Sequence, residues 1–280
     1  MFSGEELAVV ILAGGRSERF GSDKLLYKIS EKPILRMVYE NIMELGFRTA
    51  LSVHTSSQGR RLKKITGLDD VEVIVDDAGL NIGGPAAGII TATKRLKPRY
   101  LLSLPGDMPF LKSSTLEKFI EKAISSEVSA TSVMYDDGSV EVLIQLHHVE
   151  WLHKRSDPLL MLRGPSMRAG DLLRFAPDLA LISAGELSEK RWEFKNIDVP
   201  EDIKASGPEI SARKKTLIRI SDIAWLGAKR ERDGRYSAAA TIYDREARHY
   251  LSKNVGTLAS HALQDSWRCQ LLSTGLRDFR

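Results

Sequence analysis

The 280-residue sequence contains one cysteine, Cys269. A single thiol excludes an intramolecular disulfide and every zinc site built on paired cysteines, and it points to a reducing, cytoplasmic compartment. No stretch approaches the ~18 consecutive apolar residues that a membrane span needs. The opening segment, MFSGEELAVV, has acids where a signal peptide has cations, so no export is expected. The P-loop spacing G-x-x-x-x-G-K-[ST] is missing, and so is the dinucleotide fingerprint G-x-G-x-x-G. Cations are scattered along helical stretches rather than interleaved with exposed aromatics, which argues against a nucleic-acid partner.

What is present is ordinary in bulk: 42% apolar residues, 28% charged residues and a net charge of +4, values that suit a globular domain. The length allows one large domain, or a medium one with a small companion. Beyond about residue 210, lysines and arginines outnumber aspartates and glutamates roughly two to one, whereas the earlier part is slightly acidic. This asymmetry predicts two modules, residues 1–205 and 206–280, joined near Ser206-Gly207-Pro208.

The informative stretch is Val9 to Lys28, VVILAGGRSERFGSDKLLYK. Val9 to Leu12 reads as a buried strand, followed by a sharp turn at Ala13-Gly14-Gly15. Paired glycines let backbone approach a ligand where a Cβ would clash, and successive N–H groups there can cradle a phosphate. Arg16, Arg19 and Lys24 bring three cations to the same loop, which suits a triphosphate. A Gly-rich turn beside a solvated basic face is the alternative.

Further along, Ile34, Val38, Ile42 and Leu45 share a helical face that closes at Gly46. Ala50 to Val53 reads as a strand, Ser56-Ser57 as the cap of a basic helix over Gly59 to Ile65, and Val71 to Val75 as a third strand. Such alternation predicts βαβ units and a mostly parallel sheet, with ligands beyond the carboxyl ends of its strands. Just there stand Asp76-Asp77, the loop Ile82-Gly83-Gly84-Pro85, and, after a strand over Tyr100 to Leu104, Pro105-Gly106-Asp107-Met108-Pro109. An aspartate held between prolines at a strand end is a hard oxygen donor of the kind Mg²⁺ on a triphosphate requires. Ser129 to Tyr135 and Val140 to His147 flank Asp136-Asp137-Gly138 as a hairpin. His147, His148 and His153 lack metal-ligand spacing and read as strand-edge or surface residues. A helix capped by Ser166, with Arg163 before it and Arg168 on it, is a second anion site or simply a capped surface helix.

These segments resemble the MobA-like molybdenum cofactor guanylyltransferases from about Val9 to Asp202. The glycine loop is similar to L-A-G-G-x-S-x-R-[FM]-G-x-D-K, Gly84-Pro85-Ala86-Ala87-Gly88 to G-P-L-A-G, and Pro105-Gly106-Asp107-Met108-Pro109 to P-x-D-x-P. Arg163 to Leu173 is similar to R-x-G-x-x-S-[VL]-R-x-L-L, and Phe194 to Ile203 to F-x-N-[VI]-[ND]-T-P-E-[DE]-[LI]. The resemblance implies an α/β, three-layer, Rossmann-like nucleotidyltransferase domain that joins GMP from GTP to a molybdopterin-type cofactor. It implies nucleotide contacts from Leu12, Ala13, Gly14, Gly15, Arg16, Lys24, His54, Asp77, Gly84 and Asp107, with Asp77 on the guanine side. Lys24, Arg19 and Asp107 would be catalytic, with Arg16 and Arg19 on the leaving pyrophosphate. Mg²⁺ would sit on Asp107 and Asp198, and Arg163, Ser166, Arg168 and Asn196 would face the acceptor. Two departures stand out. Glu141-Val142-Leu143 replaces a His-Pro-Leu segment, and Asp198 replaces the more frequent asparagine. A sugar phosphate, cobinamide phosphate or phospholactate acceptor with GTP or CTP is the alternative enzyme reading. A non-catalytic nucleotide sensor with a partner-binding tail is the alternative of another class.

The last ~70 residues are rich in Ala, Arg and Leu at helical spacing. Trp225-Leu226-Gly227, Gly234-Arg235-Tyr236, Ala239, Tyr243 and Ala247 resemble one tetratricopeptide repeat, and Leu251 to Leu272 would supply a further helix. One repeat cannot bury its own apolar face. The segment is therefore expected to be a small all-α module covered by its own later helix, a second copy or a protein partner.

Overall fold

Strand β1 (Leu7–Leu12) is apolar throughout, the pattern of a strand covered on both faces. In the computed structural model it is the middle of the parallel region, flanked by β4 (Arg48–Val53) and β6 (Tyr100–Pro105). Val9 lies opposite Thr49 on one side and Leu102 on the other. The structure describes residues 6–15, 23–203, 207, 209–213, 216–218 and 221–275. Arg16 and Arg19 lie outside the described residues.

Among the described residues, eight strands form one sheet in the order β10-β9-β7-β8-β6-β1-β4-β5. The remaining members are β5 (Glu72–Val75), β7 (Ala130–Met134), β8 (Val140–His148), β9 (Leu179–Ser183) and β10 (Thr216–Ile218). β8 runs antiparallel between β6 and β7, and β10 antiparallel to β9; the other pairs are parallel. A short hairpin, β2 (Lys28–Ile29) with β3 (Lys32–Pro33), stands apart.

Helices cover both faces, as the βαβ alternation predicts. One layer holds α1 (Ile34–Met43), α2 (Ser56–Thr66), α4 (Ser113–Ile124) and α7 (Ala184–Leu187). Buried Leu35, Val38, Leu62, Phe119 and Leu187 pack there against Val9, Ile11 and Leu102. The other layer holds α3 (Pro85–Leu96), α5 (Val149–Arg163) and α6 (Asp171–Arg174). The cap of α2 is Thr55, whose hydroxyl accepts from the Gln58 amide at 3.2 Å, rather than Ser56-Ser57. No helix is capped by Ser166 either. That residue closes the short turn Gly164–Ser166, and α6 begins after Gly170.

The C-terminal helices are α8 (Ser221–Arg232), α9 (Tyr236–Ser252) and α10 (Gly256–Ser273). A boundary at 205/206 does not separate two cores. Ala224, Ala228, Tyr250, Val255 and Leu258 belong to the same buried cluster as Val10, Ile89 and Leu172, and β10 adds a strand to the main sheet. Among the described residues, a small group around Ala239, Ala240, Tyr243 and Cys269 forms a separate cluster between the helices.

Candidate active site

The crevice lies where the parallel rule places it, beyond the carboxyl ends of β1, β4, β5 and β6. Its walls include Gly14, Gly15, Lys24, Ser52, His54, Asp76, Gly84, Pro85, Asp107 and Leu143. A larger open groove between α1 and α4, lined by Asn41, Glu44 and Glu117 among others, shares none of these residues. It contains neither the glycine loop nor Lys24, so the chemistry belongs to the smaller crevice.

The loop after β1 is tied down by its backbone. Ala13 donates its amide to the Ser52 carbonyl at 2.8 Å, and Gln58 Nε2 donates to the Ala13 carbonyl at 3.1 Å. A Cβ on Gly14 would stand 3.3 Å from the His54 amide nitrogen, tighter than ordinary contact. That glycine is demanded by the neighbouring strand end, while Gly15 faces open space. Gly106 is similarly close: its amide donates to the Leu12 carbonyl at 3.2 Å, and this brings Asp107 beside the loop.

Lys24 holds the centre. Its Nζ lies 2.5 Å from Asp107 Oδ2 and 3.1 Å from Asp198 Oδ1. Burial opposes its charge, but the two carboxylates outweigh burial and raise its pKa above the usual value. Asp198 arrives from the far end of the chain because the Ile197 amide donates to the Asp107 carbonyl at 3.0 Å. The Asp202 carboxylate fixes the turn that follows by accepting from the amides of Asp198 and Val199 at 3.0 and 3.1 Å. Asp107 Oδ1 and Asn196 Oδ1 are buried with no hydrogen-bond partner among the described residues. An unsatisfied carboxylate oxygen beside a second carboxylate fits a divalent metal shared with phosphates, which takes one or two protein carboxylates rather than a full protein cage. Among the described residues no three acidic, histidine or cysteine groups converge as a metal cage.

At the opposite end of the crevice stands Asp76, which the motif reading passed over in favour of Asp77. Asp76 accepts from Ser52 Oγ at 2.9 Å and lies 4.0 Å from His54 Nδ1. Burial raises its pKa, against the Ser52 hydrogen bond. Asp77 is exposed and turns back to accept from the Gly79 amide at 2.9 Å. The sequence signal for Asp76 was its place as the first residue after β5, with Ser52 one strand away.

Two expected acceptor residues are engaged elsewhere. Arg163 is buried, with Nη2 3.1 Å from Asp265 and 3.3 Å from Asp171. Arg168 reaches Asp265 at 3.0 Å and Gln264 at 2.7 Å. Arg174, fully buried, joins the same cluster with paired 2.8 Å bonds to Glu246. The guanidinium groups of Arg163 and Arg168, which the motif assigned to an acceptor phosphate, pair with the carboxylates of Asp171 in α6 and Asp265 in α10. Ser166 is exposed and not part of the crevice lining. The other departure, Glu141, is mostly buried, and desolvation raises its pKa to about 7 against a hydrogen bond from the Leu143 amide, with Asp107 and Asp198 adding to the rise. His147 is also buried: its Nε2 meets Gln145 Oε1 at 2.6 Å, its Nδ1 has no hydrogen-bond partner among the described residues, and desolvation lowers its pKa to about 3.

A glycine turn after β1 at the crevice, a lysine between two aspartates and a mostly parallel sheet are the features of a nucleotidyltransferase. Residues 9–174 match the MobA-like NTP transferase domain family, and the chain belongs to it. A probable molybdenum cofactor guanylyltransferase from Pyrococcus horikoshii is 28% identical over 199 residues, 71% of this chain and 97% of that protein. Another from Aquifex aeolicus is 32% identical over 198 residues, 69% of this chain and 87% of that protein. The fold is also that of the molybdopterin-guanine dinucleotide biosynthesis protein A crystal structure from Archaeoglobus fulgidus. That comparison has a TM-score of 0.56 at 22% identity, covering 70% of this chain and 95% of that one. Among the described residues, no helix is long and apolar enough to cross a membrane.

Proposed function

We propose that this nucleotidyltransferase transfers GMP from GTP to the phosphate of a molybdopterin-type cofactor. A phosphate oxygen of the acceptor attacks the α-phosphorus of GTP, the bond to the β-phosphate oxygen breaks, and pyrophosphate leaves. The observation that carries this reading is the Lys24–Asp107–Asp198 cluster facing Gly14-Gly15, in a chain similar to curated guanylyltransferases over most of their length. The nucleophile is already ionised at neutral pH, so no general base is required. What the reaction needs is positioning and charge neutralisation.

Lys24 is placed to meet charge developing at the α-phosphate, and backbone N–H groups of the glycine loop to hold the phosphates. Asp107 and Asp198 would hold Mg²⁺, which when bound neutralises the phosphates and draws them together. Arg16 and Arg19 would hold the pyrophosphate. Asp77 remains the residue that the resemblance puts at guanine, and Asp76 adds a carboxylate on the crevice wall. A carboxylate can accept the paired N–H donors of guanine and has no such partner on the adenine edge.

Isothermal titration of the full chain with Mg²⁺ should therefore show GTP bound about tenfold or more tighter than ATP, the scale of one or two lost hydrogen bonds. Asp76→Asn or Asp77→Asn should narrow that gap. Equal affinities for the two nucleotides in the wild type would remove the guanine assignment. The lone, buried Cys269 supports a reducing, cytoplasmic setting. A tetratricopeptide-like reading of α8–α9 draws support from Gly227, where a Cβ would stand 2.7 Å from the Tyr243 ring.

A further inference from the structure

Strand β6 is shorter than the strand beside it. Its pairing with β8 runs from Tyr100 opposite His148 to Ser103 opposite Gln145 and then stops. On its other side β8 pairs with β7, but the register jumps. Ser132 faces Gln145, while the next residue, Val133, faces Glu141. The residues Val142, Leu143 and Ile144 are thus extra on the β8 side, a bulge of the kind that re-aims side chains beside a site. Leu143 lines the crevice. Glu141 turns inward, accepts from the Leu143 amide at 3.2 Å and feels the charges of Asp107 and Asp198. This is also the segment that departs from the resembling families.

The bulge is pinned at its lower end by Ser103 Oγ, which donates to the Leu143 carbonyl at 2.9 Å, and by Gln145 Nε2, which donates to the carbonyls of Val142 and Ala169. At its upper end β6 has run out, and the β8 edge would be left with an unpaired carbonyl and amide. The start of α10, just after its turn from α9, supplies both partners. The Gly256 amide donates to the Gly138 carbonyl at 2.8 Å, and the Val140 amide donates to Thr257 Oγ1 at 2.8 Å. The fit is close. Gly138 has φ +84°, and a Cβ there would stand 2.4 Å from the Asn254 carbonyl oxygen. Arg191 holds the tip with bonds of 3.3 Å to Asp136 and 2.7 Å to Asp137. Val140 is buried, so its amide has little access to water if Thr257 is lost.

We propose that the start of α10 is a positioning element for the acceptor half of the active site, with Thr257 setting the β8 bulge that presents Glu141 and Leu143. The acceptor half is identified through the proposed guanylyl transfer, on which this inference rests. The glycine loop, Ser52, His54 and Asp76 form the crevice wall on the β1, β4 and β5 side. The second substrate then has to reach the α-phosphate from the β8 side.

The test uses the full chain with Thr257→Val, which keeps the shape and removes the acceptor oxygen, and Thr257→Ser, which restores that oxygen. In pyrophosphate-release assays with GTP, Mg²⁺ and molybdopterin, Thr257→Val should raise the KM for molybdopterin about fivefold or more. The GTP affinity should stay unchanged, and Thr257→Ser should return the KM to the wild-type value. Hydrogen exchange should quicken by a similar factor across Val140 to Ile144 in Thr257→Val and revert in Thr257→Ser. An unchanged KM, or a KM change matched by weaker GTP binding, overturns the inference. If the wild type releases no pyrophosphate with molybdopterin, the guanylyl reading fails, and exchange alone decides the positioning role. Faster exchange through the bulge then supports it, and a change confined to Val140 or absent overturns it.

Discussion

Replacing Lys24 or Asp107 with alanine should lower kcat for pyrophosphate release by about 10²–10³-fold, the scale of removing one preorganised group that meets charge in a transition state. Lys24 Nζ is 2.5 Å from Asp107 Oδ2 and 3.1 Å from Asp198 Oδ1, so it sits among the groups proposed to handle phosphate charge. Both side chains lie at the crevice wall rather than in the apolar core. Their loss should therefore leave a folded chain, checked by circular dichroism. A fall in kcat with little change in KM would mark a role confined to the transition state, whereas a rise in KM alone would mark uniform binding. Asp198→Ala should have a smaller effect, because its side chain is 62% exposed and its pairing with Lys24 is correspondingly screened. Near-normal turnover in Lys24→Ala or Asp107→Ala would sink the proposed chemistry.

Asp265→Ala should cost about 3–5 kcal/mol of stability, the usual penalty for stranding buried charge. Asp265 is fully buried at the junction of three arginines, 2.7 Å from Arg174, 3.1 Å from Arg163 and 3.0 Å from Arg168, and Arg268 approaches at 2.9 Å. Without its carboxylate, buried guanidinium groups lose a shared partner. Arg245→Ala, on the exposed side of α9, should change stability by no more than about 0.5 kcal/mol. Urea unfolding of the two variants separates the effects. A loss below about 1 kcal/mol in Asp265→Ala would show that the cluster is dispensable.

The same cluster gives a pH dependence. Burial alone would raise the Asp265 pKa, but Arg163, Arg174 and Arg168 hold it well below its ordinary 3.8. A depressed folded value means its contribution is complete above the unfolded pKa and is lost as pH falls through the folded one. The stability gap between wild type and Asp265→Asn should thus be flat near neutrality and begin to close only below about pH 4.

Removal of everything from Gly207 onward should unfold the chain rather than yield a trimmed enzyme. The truncation removes Asp265 and Glu246 from buried Arg163 and Arg174, and it uncovers the core surface that Ala224, Ala228, Tyr250 and Leu258 protect. The uneven charge of the sequence predicts a separable tail, but its acids Asp265 and Glu246 are buried against Arg163, Arg168 and Arg174, while Lys229, Arg232, Arg235, Arg245 and Arg248 stay exposed.

The sequence by itself determined the parallel sheet, its strand ends and the residues at them. Those are local properties: Val9 to Leu12 is apolar throughout, Gly14-Gly15 turns the chain after it, and Asp107 is fixed between prolines in the loop after its strand. Strand ends of a parallel sheet share one edge, which put the loops carrying Lys24 and Asp107 together, whereas Asp198 reaches them only through the tertiary bond from the Ile197 amide to the Asp107 carbonyl. Tertiary structure alone decided what the arginines do. Arg163 and Arg168 have the spacing of an anion site, and nothing within ten residues reveals that Asp265, about a hundred positions later, neutralises them. It also decided that Asp76 rather than Asp77 enters the crevice lining, since the deciding hydrogen bond comes from Ser52 on the adjacent strand. The role of the last helices was hidden for the same reason. Helical spacing predicts an apolar face, but only packing shows that this face closes the main core and that Thr257 completes the edge of β8.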